Sequence, residues 1–220
     1  MRTSGFSTSL EGLPATMPVF PLAGMLLLPG GRLPLNIFEP RYLAMFDDAL
    51  ASNRLIGIIQ PCPDEQQATV PALYPTGCAG RIVQFSETED GRYLLTLLGV
   101  SRFGTTSEIA SMRGYRRVLP DWSLFLGDLD CAEDPGIHRD RLLTVLRAYF
   151  TGKGIKADWD AIERTDNAQL VTTLAMLCPF DPTEKQALLV AADASTRAET
   201  MIALMEMAVH TTDGTENVRH

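Results

Sequence analysis

Histidine is scarce in this chain. Only His138, His210 and His220 occur in 220 residues. None lies at ligand spacing from another histidine or a cysteine, which leaves no basis for a metal site and little room for imidazole acid–base chemistry. Four cysteines, Cys62, Cys78, Cys131 and Cys178, stand far apart with no C-x-x-C, so free thiols are expected. The chain has no G-x-x-x-x-G-K-[ST] to cradle phosphates, no H-E-x-x-H and no G-x-G-x-x-G. It also lacks G-x-S-x-G, the nearest stretch, Gly99–Gly104, missing the spacing. Gly152-Lys153-Gly154 has neither the preceding glycine nor the following Ser/Thr of a phosphate loop, and it reads as the end of a helix. These absences predict a protein that is not an enzyme and takes no cofactor.

Long apolar runs are missing too. The candidate run Met25–Leu28 stops at Pro29, and no run approaches the roughly 20 residues of a bilayer span. The first residues contain no apolar core of a secretory signal, so a cytoplasmic location is expected. Lysine is absent from residues 1–120, where ten arginines balance ten acids. Residues 121–220 hold nine Lys+Arg against seventeen acids and account for the whole net charge of −8. That acidic half argues against a nucleic-acid footprint there, which needs a positive patch.

What the chain does have is proline inside apolar sequence. Met17–Met45 is interrupted by Pro18, Pro21, Pro29, Pro34 and Pro40. Each fixes φ and cannot donate to a ladder, which forces strand ends, edges or turns. Met17 to about Asp121 therefore reads as short strands. One amphipathic helix interrupts them at Glu39–Asn53, with Tyr42, Leu43, Phe46, Ala49 and Leu50 at helical spacing. Strands are predicted at Leu55–Gln60, Gly77–Ser86, Arg92–Leu98, Phe103–Ala110 and Tyr115–Leu119, with a loop or irregular edge at Gln60–Tyr74. Glu89-Asp90-Gly91 supplies a hairpin turn.

From about Pro135 the period becomes helical. Asp134-Pro135 is a helix start, followed by Leu142, Leu143, Leu146, Tyr149 and Phe150, with Gly152 as the stop. Further helices are predicted at Trp159–Arg164, at Asn167–Leu177, after the capping box Asp181-Pro182-Thr183-Glu184, and at Ser195–Val209. Leu188, Leu189 and Ala192 form the buried side of the fourth. The organisation expected is a flexible leader over residues 1–16, a β-rich unit over 17–121, a helical unit over 122–210 and a disordered tail over 211–220. This is an α+β chain.

Several of these segments carry a resemblance. P-V-F-P-L at Pro18–Leu22, L-P-G at Leu28–Gly30, L-P-L at Leu33–Leu35 and F-E-P-R-Y at Phe38–Tyr42 resemble the opening of the Lon protease N-terminal domain. Gly77–Ile82, the Gly91–Phe103 stretch G-R-Y-L-L-T-L-L-G-V-S-R-F, and Glu184–Leu189 followed by Arg197 are similar to later motifs of that family, in order. The resemblance spans about Met17–Val209. It implies a PUA-like β pseudo-barrel with one helix, followed by a small helical bundle. It also implies recognition of unfolded or exposed polypeptide segments, in company with a protease or chaperone machine. Neither the ATPase nor the peptidase of a full-length Lon protease is found in this sequence, so a stand-alone substrate-binding protein is expected.

Two groups are candidates for binding. Phe38, Glu39, Arg41 and Tyr42 place aromatic and ionic groups around a fixed proline, and Arg and Tyr are frequent contact residues. The alternative is a polar tie across a strand-to-helix corner, with Tyr42 packed inward. Arg113, Tyr115 and Arg117 fall on one face of a strand by alternation. Such a strip suits single-stranded nucleic acid, and PUA-like barrels elsewhere hold RNA; a charge-protected edge strand is the alternative. Acid pairs such as Asp47-Asp48, Glu133-Asp134 and Asp158/Asp160 fall in helices or at helix starts, where they favour the macrodipole. A pocket for a small ligand has no sequence support beyond these.

Overall fold

A computed structural model describes residues 10–63, 70–111, 113–130 and 136–216, with side chains described to Thr211. Six strands and a helix come first: β1 (Met17–Pro21), β2 (Arg32–Ile37), α1 (Pro40–Leu50), β3 (Leu55–Pro61), β4 (Leu73–Glu87), β5 (Tyr93–Ile109) and β6 (Arg116–Asp121). A 3-10 segment, Ser123–Leu129, leads into α2 (Arg139–Lys153), α3 (Trp159–Arg164), α4 (Asn167–Leu177), α5 (Pro182–Val190) and α6 (Ala194–Glu216).

The sheet is mixed, in the order β2-β5-β4-β3-β1-β6. β1 runs parallel to β3, and the other pairs are antiparallel. β6 also pairs with the second half of β5, while β2 takes the first half. Hydrogen bonds thus pass around β1, β3, β4, β5 and β6 with β2 attached outside. This is a pseudo-barrel rather than a regular closed one.

β3 explains how this unit meets the helices. All seven of its residues are buried, and alternation sends them to two places. Leu55 and Ile59 join Met17, Val19, Ala79, Phe103 and Val118 in a small cluster inside the circuit. Ile56 and Ile58 face the opposite way, into a large core shared with α1 and the helical unit. The bore is filled chiefly by Phe103, because glycine stands opposite it. A Cβ on Gly57 would lie 2.9 Å from the Phe103 ring, and one on Gly77 only 2.7 Å. On the outer face Phe46 of α1 packs against Phe85 and Tyr93, with ring centroids 5.4 and 5.2 Å away.

β5 is one strand where the sequence reading has two. Gly99 makes no turn there. The Leu28-Pro29-Gly30-Gly31 corner docks onto it, with Gly30 N donating to Gly99 O (3.0 Å) and Gly99 N to Gly31 O (2.8 Å). A Cβ on Gly99 would sit 1.9 Å from the Leu28 carbonyl oxygen, so the glycine is a docking notch. β4 also starts earlier than expected, taking in Leu73 and Tyr74. The remainder of the loop expected at Gln60–Tyr74 is interrupted by residues 64–69, which lie outside the described residues. Within the expected leader, Leu13 packs against the bore cluster and Pro14 O accepts from the Trp122 indole N–H at 3.1 Å.

The helical unit follows its caps. Asp158, Asp166 and Asp181 each accept from a first-turn N–H of α3, α4 and α5, and Glu184 completes the reciprocal box at α5. α2 begins at Arg139 instead of the expected Asp134-Pro135, which lies outside the described residues. Gly136 takes φ +60°, a conformation an α-helix does not contain. α2 ends on Gly154, at φ +65°, two residues beyond the expected stop. α6 runs on to Glu216 through the expected tail, and residues 217–220 lie outside the described residues. Among the described residues no helix is long and apolar enough to cross a membrane. Cys62, Cys78 and Cys178 are free, Cys131 lying outside the described residues.

Candidate functional site

Polar side chains join the β unit to the helices. Gln60, at the end of β3, is buried; its carbonyl accepts from Gly24 N (3.0 Å) and its amide donates to Pro182 O (2.9 Å) and to Gln186 Oε1 (3.2 Å). Gln186 in turn donates to Thr76 O at 3.2 Å. Lys185 is buried beside it, donating to Gly24 O at 2.8 Å, and burial holds its ammonium below the usual lysine value. Burial also pushes the neighbouring Cys178 thiol up to about 12. The Glu184-Lys185-Gln186 segment is therefore a cap and a two-residue clasp, with Leu188 and Leu189 buried behind it.

Arg102 of β5 makes the other half of the joint. Its side chain is buried against Asp128 of the 3-10 segment, with Nε donating to Oδ2 (2.9 Å) and Nη2 to Oδ1 (2.8 Å). The backbone N–H of Arg102 reaches the same carboxylate at 2.9 Å. Nη1 donates to the carbonyls of Leu189 and Ala191, and Nη2 to that of Ala192. One guanidinium thus binds three carbonyls at and just beyond the C-terminus of α5, where the helix leaves them open. α5 stops at Val190 because Ala191 is extended (φ −51°, ψ 134°), which leaves Ala192 exposed instead of buried as expected.

Arg102 and Asp128 line a cleft of about 660 Å³. One wall is the 3-10 segment, where Leu124 is 64% exposed and Phe125 lies over Arg102, its ring centroid 4.4 Å from the guanidinium carbon. The other wall is the first turns of α4 and α6, with Asp166 and Asp193. Arg197, in the first turns of α6, lies at the base and is only 6% exposed. Its Nε donates to Leu188 O at 2.9 Å. Burial, then the nearby Arg102 charge, lowers its pKa to about 10, with Asp128 opposing.

The residues singled out from sequence lie elsewhere, at one corner. Phe38 is 61% exposed on the turn into α1. Glu39 and Arg41 pair with each other at 2.8 Å, and the Arg41 guanidinium lies 4.5 Å from the Tyr42 ring centroid. Tyr42 itself is buried against Phe20, and burial raises its hydroxyl pKa. Arg113 meets Asp48 Oδ1 at 2.7 Å, while the Tyr115 hydroxyl donates to Oδ2 at 2.6 Å. These partners hold the Asp48 carboxyl below the usual range, Tyr115 contributing most. Arg117 donates to Thr16 Oγ1 at 3.2 Å, and Arg116 ion-pairs with Glu108. The structure brings the two groups side by side, since a Cβ on Gly114 would meet the Arg41 Cβ at 3.4 Å. It does not give Arg113, Tyr115 and Arg117 one strand face. β6 begins only at Arg116, and Tyr115 is buried while Arg113 is exposed.

A pseudo-barrel with one helix, clasped to a helical bundle by the carbonyl-binding arginine of a strand, defines the class of fold. Residues 16–207 match the family described as the ATP-dependent protease La (LON) substrate-binding domain, and the chain belongs to that family. The crystal structure of a Lon N-terminal domain protein from Xanthomonas campestris aligns over 86% of this chain and 97% of that one, with a TM-score of 0.61 and 24% identity. The N-terminal domain of Mycobacterium avium complex Lon protease aligns over 87% and 98%, with a TM-score of 0.63 and 18% identity. The Lon protease of Anaeromyxobacter dehalogenans is 31% identical over 94 residues, which are 42% of this chain and 11% of that protein. The chain thus matches only a small part of such relatives.

Arg102 and Arg197 were legible as motif residues of the family, but their work was not. What they bind, carbonyls at a helix end and a cleft floor, exists only once the two units are docked. Asp128, which has no motif of its own, left no signal.

Proposed function

We propose that this chain is a polypeptide-recognition module that binds unfolded or exposed segments and performs no covalent chemistry of its own, in a proteolytic setting. The observation that carries this reading is the cleft between the β unit and the bundle. It is a concave site with an apolar wall at Leu124 and Phe125 and a few fixed polar groups at its base, the usual make-up of a binding pocket. Membership of a substrate-binding-domain family supports it. Among the described residues no three His, Cys, Asp or Glu side chains are placed to hold a metal ion. Phe38 offers a second apolar contact, on the outer corner. RNA binding at the Arg113–Arg117 strip has less support, because Arg113 and Arg116 are ion-paired and Arg117 is hydrogen-bonded.

Hydrogen exchange with a permanently unfolded, reduced and carboxymethylated protein tests the reading. Protection is expected over residues 123–130 and 192–197, and Leu124→Asp is expected to abolish it. Unchanged exchange in the cleft at saturating unfolded protein, or equal binding by Leu124→Asp, overturns it.

A further inference from the structure

We propose that the cleft selects extended basic polypeptide, placing a client main-chain carbonyl on the Nη groups of Arg197, an apolar side chain on Leu124 and Phe125, and a lysine or arginine side chain among Asp130, Asp166 and Asp193. This deepens the reading of the cleft as a polypeptide site and depends on it.

The first support is Arg197. A guanidinium has five N–H donors in a fixed fork. Arg197 is buried, its Nε is satisfied by Leu188 O, and among the described residues neither Nη has a hydrogen-bond partner. Among the described residues Thr105 Oγ1 is the one fully enclosed side-chain polar atom left unpaired, so solvent reaches the Arg197 Nη atoms and a peptide carbonyl can replace it there. The cleft is the side from which an acceptor can reach them, since Arg197 lines it. Arg102, its neighbour, shows the preference of this region, with three peptide carbonyls on its own Nη atoms.

The second support is charge. The lining holds Arg102 and Arg197 against Asp128, Asp130, Asp166 and Asp193. Asp128 is taken up by Arg102. Asp166 caps α4, accepting from Gln169 N, and Asp193 caps α6, accepting from the Thr196 N–H and also from the Thr196 side chain and the Ser195 backbone. The exposed Asp130 carboxylate makes no hydrogen bond among the described residues. A ligand carboxylate would reach Arg197 past three acids, whereas a neutral carbonyl meets no such opposition. An ammonium or guanidinium on the same segment gains from those acids. The excess of acids over residues 121–220 extends this field beyond the cleft and favours encounter with cationic chains.

Fluorescence anisotropy with short labelled peptides tests the inference. One series keeps the same Leu and Phe residues and carries Lys and Arg, Gln, or Glu at the other positions. The basic peptide is expected to bind about tenfold tighter than the Gln peptide, as a few partly screened ion pairs provide, and to weaken with added salt. Asp130→Asn should lower affinity for the basic peptide alone. Arg197→Lys, which keeps the charge and loses the fork, should weaken all peptides that bind. Should that variant not fold, Asp130→Asn and the salt series still decide. Equal affinity for basic and Gln peptides, or no effect of Asp130→Asn, overturns the inference and leaves polypeptide recognition standing. Tightest binding of the Glu peptide overturns it in favour of a carboxylate on Arg197. Binding of none of the three overturns both.

Discussion

Replacing Arg102 with methionine removes one side of a buried ion pair and leaves the other in place. Asp128 would remain charged with its side chain 11% exposed, and the Leu189, Ala191 and Ala192 carbonyls would lose their donors. Breaking a buried pair from one side costs about 3–5 kcal/mol, a large share of the roughly 5–15 kcal/mol that holds a domain folded. For a chain of this size that is a fall in Tm of roughly 6–20 °C. The chain's two tryptophans report on the two units separately. Trp122 packs edge-on against Phe103 in the bore, and Trp159 packs against Phe150 in the bundle. In single-tryptophan versions, Trp122→Phe and Trp159→Phe, both reporters should melt together in the parent and apart in Arg102→Met, because the joint links the units. Arg102→Met combined with Asp128→Leu should regain much of the loss, since well-packed apolar groups substitute for a buried pair. A single variant within about 2 °C of the parent, which is under 1 kcal/mol here, would refute the reasoning. So would a double variant no better than the single one.

Gly99→Ala should cost about 3 kcal/mol in urea unfolding, at the upper end for overpacking, because its Cβ meets the Leu28 backbone; Gly127→Ala, with nothing within 4 Å, should be far milder. Asp181→Ala should lose about 1 kcal/mol by removing the α5 capping box, and a midpoint unchanged in urea would contradict it. With Cys131 and Cys62 replaced by serine, Cys178 should resist a thiol reagent at pH 8 until the protein unfolds, since a thiol pushed up to about 12 is hardly ionised there; fast labelling of the native protein would contradict this. The Asp48 carboxyl is lowered from 3.8 by Tyr115 and Arg113, so its contribution is complete above that value and fades as pH falls through the lower folded value. Acid titration should therefore destabilise the parent more than Asp48→Asn, by a small margin because the group is partly exposed.

Local signals carried much of the fold. Asp158, Asp166 and Asp181 act within four residues of chain, so α3, α4 and the start of α5 fall where the sequence places them. The apolar run Leu55–Gln60 is a strand for the reason it looks like one, with both faces covered. Signals failed where a distant partner reassigns a residue. Gly99 looks like a turn until the Leu28 carbonyl is laid against it, and Asp134-Pro135 looks like a helix start until Gly136 is given its positive φ. The cleft was hidden for the same reason. Its parts come from positions 29, 102, 124 to 130, 166 and 197, and no spacing rule links them. Glu39, Arg41, Arg113 and Tyr115 stood out because they are ionic and aromatic together, a pattern shared by contact surfaces and by internal ties.

A pseudo-barrel with a phenyl plug has little vacancy for a guest. Phe103 meets Gly57 and Gly77 so closely that a methyl group on either would force its neighbours to shift, which leaves the exterior as the surface open to a partner. Selectivity can then drift through exterior side chains while the plugged centre, on which folding depends, stays as it is.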